Sequence, residues 1–269
     1  MRAIVIALCL ALTGTAALAD ARLTVLMDLL KISETARIVR DEGLAEAARL
    51  ETEYLDGRGG EFWAGQVDRL FAAEAIVETV RAALEDGLDV REGEAVAAFF
   101  ASERGERIVT LENAARIAMN DPAIEAAMAG EVATLKTDPD RLFVQVERMI
   151  AAGDLTERNV AATLGASYQF MSGLAEGGLL EMDEDAIARQ VWDDEARVRA
   201  AARDWLHCYL TLAYTTLSPE EVDAYVDFAE SDAGRALNAA LFQGYGKVYA
   251  DTSYGLGRLI ALGASASDL

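Results

Sequence analysis

Apolar residues recur at helical spacing through most of the chain. The pattern is clearest from Glu61 to Glu85, where Phe62, Leu70 and Val80 belong to one broad apolar stripe. A second long stripe runs from Ala186 to Thr216. Each stripe predicts one long amphipathic helix. The side chains expected to face inward on the second are Val198, Ala202, Trp205, Leu206, Tyr209, Leu212 and Ala213.

Shorter helices are predicted over 23–31, 34–55, 123–136, 141–151 and 155–175. The firmest breaks are Asp121-Pro122 and the TDPD stretch at 137–140, because proline disfavours a helical conformation of the residue before it. The chain has only three prolines, abundant alanine and no strictly alternating runs of β-branched residues. This composition predicts an all-α fold, packed as a multi-helix bundle.

Two similar phrases occur far apart in the chain: FASERGERI from Phe100 to Ile108 and FAESDAGRAL from Phe228 to Leu237. A shift of 129 residues aligns the segment from Trp63 to Gly105 with the second half without a gap. The matched motif pairs are Trp63 with Trp192, Phe99 with Phe228, Ser102 with Ser231, and Gly105 with Gly234. We interpret the match as an internal duplication that gives two related helical halves, 20–138 and 139–269.

Each phrase predicts a short helix, a serine-capped bend and a new helix. The short helices begin at capping boxes, Asp89 to Glu92 and Ser218 to Glu221. Both phenylalanines of the motif are expected to be buried at the end of the short helix. The motif serines are expected to accept a backbone N–H, and the motif glycines would let another backbone pass closely.

A short helix ending in Phe, one or two residues, Ser, two residues and Gly resembles the signature of the exported bacterial helical proteins of domain of unknown function 2059. Proline commonly follows the serine in that family, and here Glu103 and Asp232 stand in its place. The second copy, from Ser218 to about Asp251, is the closer fit. The resemblance implies an exported helical protein, and it brings no catalytic residues with it.

The N-terminus reads as a signal peptide over residues 1–19. Arg2 precedes an apolar run from Ala3 to Leu12, and small residues end in Ala17-Leu18-Ala19. Cleavage is expected before Asp20, which would place the mature chain in the periplasm or outside the cell. The apolar run is too short to cross a membrane, so no transmembrane segment is predicted in the mature chain.

The chain is strongly acidic, with 24 basic and 46 acidic residues and a formal net charge of −22. Nucleic acid and anionic membrane surfaces are therefore poor partners. Cleavage of the signal peptide would remove Cys9 and leave Cys208 as the single cysteine. A single thiol cannot form an internal disulfide, so the fold must be held together by its core.

His207 and Cys208 are the residue pair that thiol chemistry would require, but neighbours on a helix point about 100° apart. Cys208 is expected to be buried on the stripe with Trp205 and Leu212. His207 is expected to be solvated or salt-bridged, beside Arg203, Asp204 and Thr211. The sequence therefore predicts no catalytic set, no metal site and no cofactor.

Two further stretches have a structural and a functional interpretation. The acidic stretch EMDED at 181–185 is typical of a helix start, with calcium binding as the alternative. The stretch QGYGKVYADTSYGLGRL from Gln243 to Leu259 predicts close helix contacts between its tyrosines. The alternative for this second stretch is an aromatic groove that binds a ligand.

These features favour a non-enzymatic periplasmic protein of the cell envelope that binds a protein or a small ligand. The alternative is an enzyme that uses carboxylates in a cleft between the two halves. An enzyme should show acidic side chains converging in a concave pocket. A binding protein should show an apolar patch or groove.

Overall fold

The computed structural model describes residues 20–267, which form an all-α bundle without a strand in that range. The predicted fold class is therefore confirmed, while the predicted signal peptide lies outside the described residues. The helices are α1 (20–29), α2 (Ile32–Leu55), α3 (Gly60–Leu70), α4 (Ala73–Gly87), α5 (Val90–Phe100), α6 (Glu103–Ala118), α7 (Pro122–Leu135), α8 (Arg141–Ala152), α9 (Leu155–Glu176), α10 (Glu184–Asp193), α11 (Glu195–Tyr214), α12 (Pro219–Ala229) and α13 (Asp232–Ser267).

Several helix starts follow from local sequence alone. In α5 the Asp89 side chain accepts from the Glu92 N–H at 2.8 Å, and the Glu92 carboxylate accepts from the Asp89 N–H at 2.8 Å. Ser218 and Glu221 form the same capping box at α12. Such a cap contributes about 1 kcal/mol to stability, so these boundaries are set by the residues themselves.

The last helix, α13, packs closely against both α9 and α4. A Cβ on Gly257 of α13 would overlap the Phe170 carbonyl oxygen of α9, and Gly173 faces the same contact from the other side. Further along α13, a Cβ on Gly244 would lie 3.0 Å from the Val80 Cα of α4. Glycines therefore allow the helix backbones to approach at these points.

One hydrophobic cluster joins residues from both sides of the predicted division at 138/139. Val80 and Leu84 of α4 and Phe100 of α5 pack with Leu237 and Ala240 of α13. The two predicted halves thus share buried apolar surface. The division of the chain into two repeats remains a prediction.

The prediction of one helix from Glu61 to Glu85 is wrong, because the helix breaks after Leu70. Phe71 leaves the helical path and is 5% exposed, and Ala72 has an extended ψ of 122°. The guanidinium of Arg40 donates to the Phe71 carbonyl at 3.0 Å, which satisfies a helix-end acceptor. This break depends on contacts with α2, so neither glycine nor proline marks it in the sequence.

The second long helix, predicted from Ala186 to Thr216, is also interrupted. Helix α10 ends at Asp193 and α11 begins at Glu195. With a shift of 129 residues, the break at Phe71 corresponds to a position inside α11. The two long segments are therefore divided at different points, and agreement of the boundaries begins only with α5 and α12.

Candidate functional site

The fold brings the two repeated phrases into direct contact. The rings of Phe99 and Phe228 stack with their centroids 4.3 Å apart and their planes 18° from parallel. Both side chains are half-buried, less than the sequence predicted, because each leaves part of its ring uncovered. The ends of α5 and α12 thus meet through an aromatic pair.

The serines and glycines of the two phrases have matching local geometry. Ser102 Oγ donates to the Phe99 carbonyl at 2.6 Å and accepts from the Gly105 N–H at 3.1 Å. Ser231 Oγ makes the same two hydrogen bonds at the same distances with Phe228 and Gly234. A Cβ on either glycine would overlap the preceding phenylalanine carbonyl. The predicted N-caps and close backbone contacts are confirmed.

The paired tryptophans do not share an environment. Trp63 is 4% exposed and packs in a cluster with Leu50 and Ile260, whereas Trp192 is 70% exposed. The helices that carry them, α3 and α10, end at different positions relative to the repeat. The structure thus pairs the motif at Phe, Ser and Gly but not at Trp.

A cavity of about 960 Å³ lies beside the second phrase. Its wall includes Phe228 and Ala229 at the end of α12 and Gly234 in the first turn of α13. Further wall residues come from α2, α6, α8, α9, α10 and α11. The lining therefore draws on helices from both predicted halves, and most of it is apolar.

Aromatic rings dominate the interior of the cavity. Trp205 and Tyr209 of α11 stack with ring centroids 4.8 Å apart. The rings of Tyr214 and Tyr225 meet edge to face at 5.9 Å. Burial raises the pKa of Tyr209, Tyr214 and Tyr225, and the nearby Glu112 raises each further. These phenols therefore stay neutral and can donate hydrogen bonds at physiological pH.

Glu112 of α6 is the acidic group of the cavity interior. The Tyr214 hydroxyl donates to its Oε1 at 2.6 Å. Burial raises the pKa of Glu112, while hydrogen bonds from Tyr214 and Tyr225 act in the opposite direction. The carboxylate is half-buried and lines the cavity, so a ligand can reach it.

Arg116 lies one helical turn from Glu112, but its guanidinium is directed to other partners. It donates to both carboxylate oxygens of Glu42, at 2.9 and 2.6 Å, and to the Tyr249 hydroxyl at 2.6 Å. Burial opposes its charge, but Tyr249 and Glu42 outweigh that effect and raise its pKa. Arg116 therefore forms a satisfied cluster that joins α6, α2 and α13.

The exposed rim of the cavity consists of paired charges. Arg49 contacts Glu46 and Glu53, both at 2.6 Å. Arg197 contacts Asp194 at 2.9 Å, and this hydrogen bond lowers the pKa of Asp194. These pairs face solvent, so they contribute little to stability.

His207 and Cys208 lie in the core, away from the cavity lining. His207 is fully buried, with Nε2 2.6 Å from Glu147 Oε1 and its ring stacked on Phe143. The salt-bridged alternative for His207 holds, and the solvated one is wrong. Cys208 is buried as predicted, but it packs with Met119 and Met128 instead of Trp205.

The remaining two stretches can now be placed. Asp183 accepts from the Ala186 N–H at 2.8 Å and caps α10, so the acidic stretch at 181–185 is a helix start. Among residues 20–267, no three acidic, histidine or cysteine side chains are grouped to hold a metal ion. In the C-terminal stretch both interpretations apply, because Gly257 makes a close contact and Tyr245 and Tyr249 line the cavity.

Glu112 and Arg116 were not singled out by the sequence analysis. The available signal was position, because Glu112 falls between Ile108 and Ala115, which are 0% and 4% exposed on the same face of α6. A carboxylate on the apolar face of a helix is unusual enough to mark a candidate site.

Comparison of the chain with protein-family models, curated proteins and solved structures gives no match. Within the described range, no helix is both long and apolar enough to span a membrane.

Proposed function

We propose that the protein is a non-enzymatic binding protein whose cavity holds a small molecule with a largely apolar body. The observation that carries this proposal is the cavity of about 960 Å³, lined mainly by apolar and aromatic side chains. Small-molecule sites in proteins are typically about 300 to 1,000 Å³ and have this kind of lining. We place this function in the bacterial envelope, in keeping with the signal-peptide pattern and the resemblance to domain of unknown function 2059.

The alternative is an enzyme with Glu112 as a general acid or base. A buried carboxylate with a raised pKa in a cavity favours it, since catalytic acids are tuned in this way. The paired-carboxylate version has less support. The other acids that line the cavity, Glu46, Glu53 and Asp194, are each bound to an arginine at the rim.

The binding proposal is tested by filling the cavity. Gly246 lines it, and a Cβ added there meets no atom within 4 Å. Gly246→Leu should therefore occupy ligand space without a clash, and leucine also favours the helix. Gly130→Leu is the matched control, because Gly130 is an exposed helical glycine with open space around it and lies outside the cavity lining.

Binding is followed with N-phenyl-1-naphthylamine, a neutral apolar dye that fluoresces when it leaves water. Wild type and Gly130→Leu should bind the dye with similar affinity, and Gly246→Leu should bind at least about tenfold more weakly. Equal dye binding by all three proteins, or no binding by wild type, would contradict the proposal.

A further inference from the structure

The charges that line the cavity do not balance. Four acids, Glu46, Glu53, Glu112 and Asp194, face three arginines, Arg49, Arg116 and Arg197. Each arginine is already held by a carboxylate. Among the described residues, no basic side chain lies within 4 Å of the Glu112 carboxylate, which leaves it as the one uncompensated charge of the lining.

The surroundings of Glu112 are suited to a positively charged group. Aromatic faces from Tyr209, Tyr214 and Tyr225 surround it, and the electron-rich face of a ring attracts a cation. A quaternary ammonium group is recognised by aromatic rings together with a carboxylate in this way. The same site would repel an anion, because the arginine nearest in sequence, Arg116, already makes three hydrogen bonds.

We infer that the ligand of the cavity is an organic cation, an amine or quaternary ammonium group on an apolar body. Its charged group would contact the Glu112 carboxylate and the tyrosine faces, and its body would extend along Trp205 and Phe242. This inference rests on the proposed binding function and specifies its ligand class. The acidity of the whole chain, with a net charge of −22, favours the approach of a cation.

Three probes of equal chain length test the ligand class: n-octyltrimethylammonium, 1-octanol and octanoate. Each is titrated against the protein by displacement of N-phenyl-1-naphthylamine and by calorimetry. The cation should bind at least about tenfold tighter than the alcohol, and octanoate should bind most weakly. Equal or tighter binding of the alcohol or octanoate overturns the cation inference but leaves the binding function intact. Failure of all three probes and of the dye overturns both.

The role of Glu112 is tested with Glu112→Gln, which keeps an oxygen that can accept from Tyr214. This variant should lose about tenfold in affinity for the cation and keep its affinity for 1-octanol, which also reports that it is folded. Glu53→Gln is the matched control, because it removes one negative charge from the rim of the same cavity. An unchanged preference for the cation in Glu112→Gln, or an equal loss in Glu53→Gln, overturns the assignment.

A measurement on wild type alone gives an independent test. The tetraalkyl cation keeps its charge at every pH, so a loss of its binding on acidification reports protonation of the protein. The groups that face Glu112 are Tyr209 and Tyr214 of α11 and Tyr225 of α12, which are neutral over the acid and neutral range. Cation binding should fall as Glu112 takes up its proton, while binding of 1-octanol stays constant. Cation affinity that does not change with pH overturns the inference.

Discussion

Ser102 and Ser231 each hold a helix junction with one donated and one accepted hydrogen bond. Both serines have the preceding phenylalanine carbonyl and the following glycine N–H as partners. Because all these partners lie within three residues of the serine, local sequence was enough to predict the cap.

Replacement of either serine by alanine should lower the free energy of unfolding by about 1 kcal/mol, the usual effect of a lost N-cap. Ser33→Ala, at an exposed position in the first turn of α2, serves as the control and should change stability by less than about 0.5 kcal/mol. Urea unfolding of the three variants measures the difference. A similar small effect at all three positions would show that the caps contribute little.

Glu112 shows the limit of residue-level prediction. Its nearest partner, Tyr214, is 102 residues away in the chain, and the cavity around it is formed by eight helices. Periodicity identifies the face of α6 on which Glu112 lies, but not the tyrosines that meet it. For the same reason, the sequence analysis selected His207 and Cys208, whose surroundings prove to be core.

The raised pKa of Glu112 predicts a specific dependence of stability on pH. The native state binds this proton more tightly than the unfolded chain does, so stability is greatest where the carboxyl is protonated in both states. As the pH rises from the ordinary glutamate range through the raised pKa, wild type should lose stability. Glu112→Gln should not show this loss, so urea unfolding of the two proteins across that range should give diverging curves. Parallel curves would falsify the raised pKa.

At the scale of helices, α5 and α12 are the parts of the two phrases that agree best. Their boundaries correspond under the shift of 129 residues, and α6 and α13 begin at corresponding residues, Glu103 and Asp232. Upstream, the break at Phe71 arises from its burial and from the hydrogen bond with Arg40, which no periodicity contains. Helix type and approximate position were therefore predictable, whereas breaks imposed by tertiary contacts were not. The duplication itself stays a hypothesis.

Two glycines of α13 should respond in opposite ways to the same substitution. Gly246→Ala should stabilise the protein by up to about 1 kcal/mol, because alanine favours a helix and the added Cβ has open space. Gly257→Ala should destabilise it by about 1 to 3 kcal/mol, because the added Cβ overlaps the backbone of α9. Thermal and urea unfolding of both variants provide the comparison. Stabilisation by both substitutions would mean that α9 and α13 can separate at little cost.

At the scale of the whole molecule, the cavity is an assembly of helices from across the chain. Glu46 of α2 and Leu256 of α13 both belong to its lining. The sequence analysis left open both a groove and a cleft between halves. Neither could be derived from single segments, because a cavity of this kind is defined only by how distant helices pack.

Export is the prediction that applies to the whole chain. Expression of the full sequence in a Gram-negative host should yield an envelope fraction in which the protein begins at Asp20, as measured by mass spectrometry of the intact protein. Ala19→Leu should block this cleavage by removing the small residue at the predicted site, while Ala21→Leu should leave it in place. Recovery of a chain that still begins at Met1 in that fraction would contradict the signal-peptide prediction.

The packing of α13 has a consequence for the order of events during synthesis. Leu84 of α4 is covered in part by Leu237 of α13, so its cover is made about 150 residues later. At roughly 5 to 20 residues per second, a ribosome needs about 8 to 30 s to bridge that interval. The first helices must keep their apolar faces exposed over this time, because the surface that buries them does not yet exist. A nascent chain stalled before residue 232 should therefore be cut readily by protease at sites that the finished protein conceals.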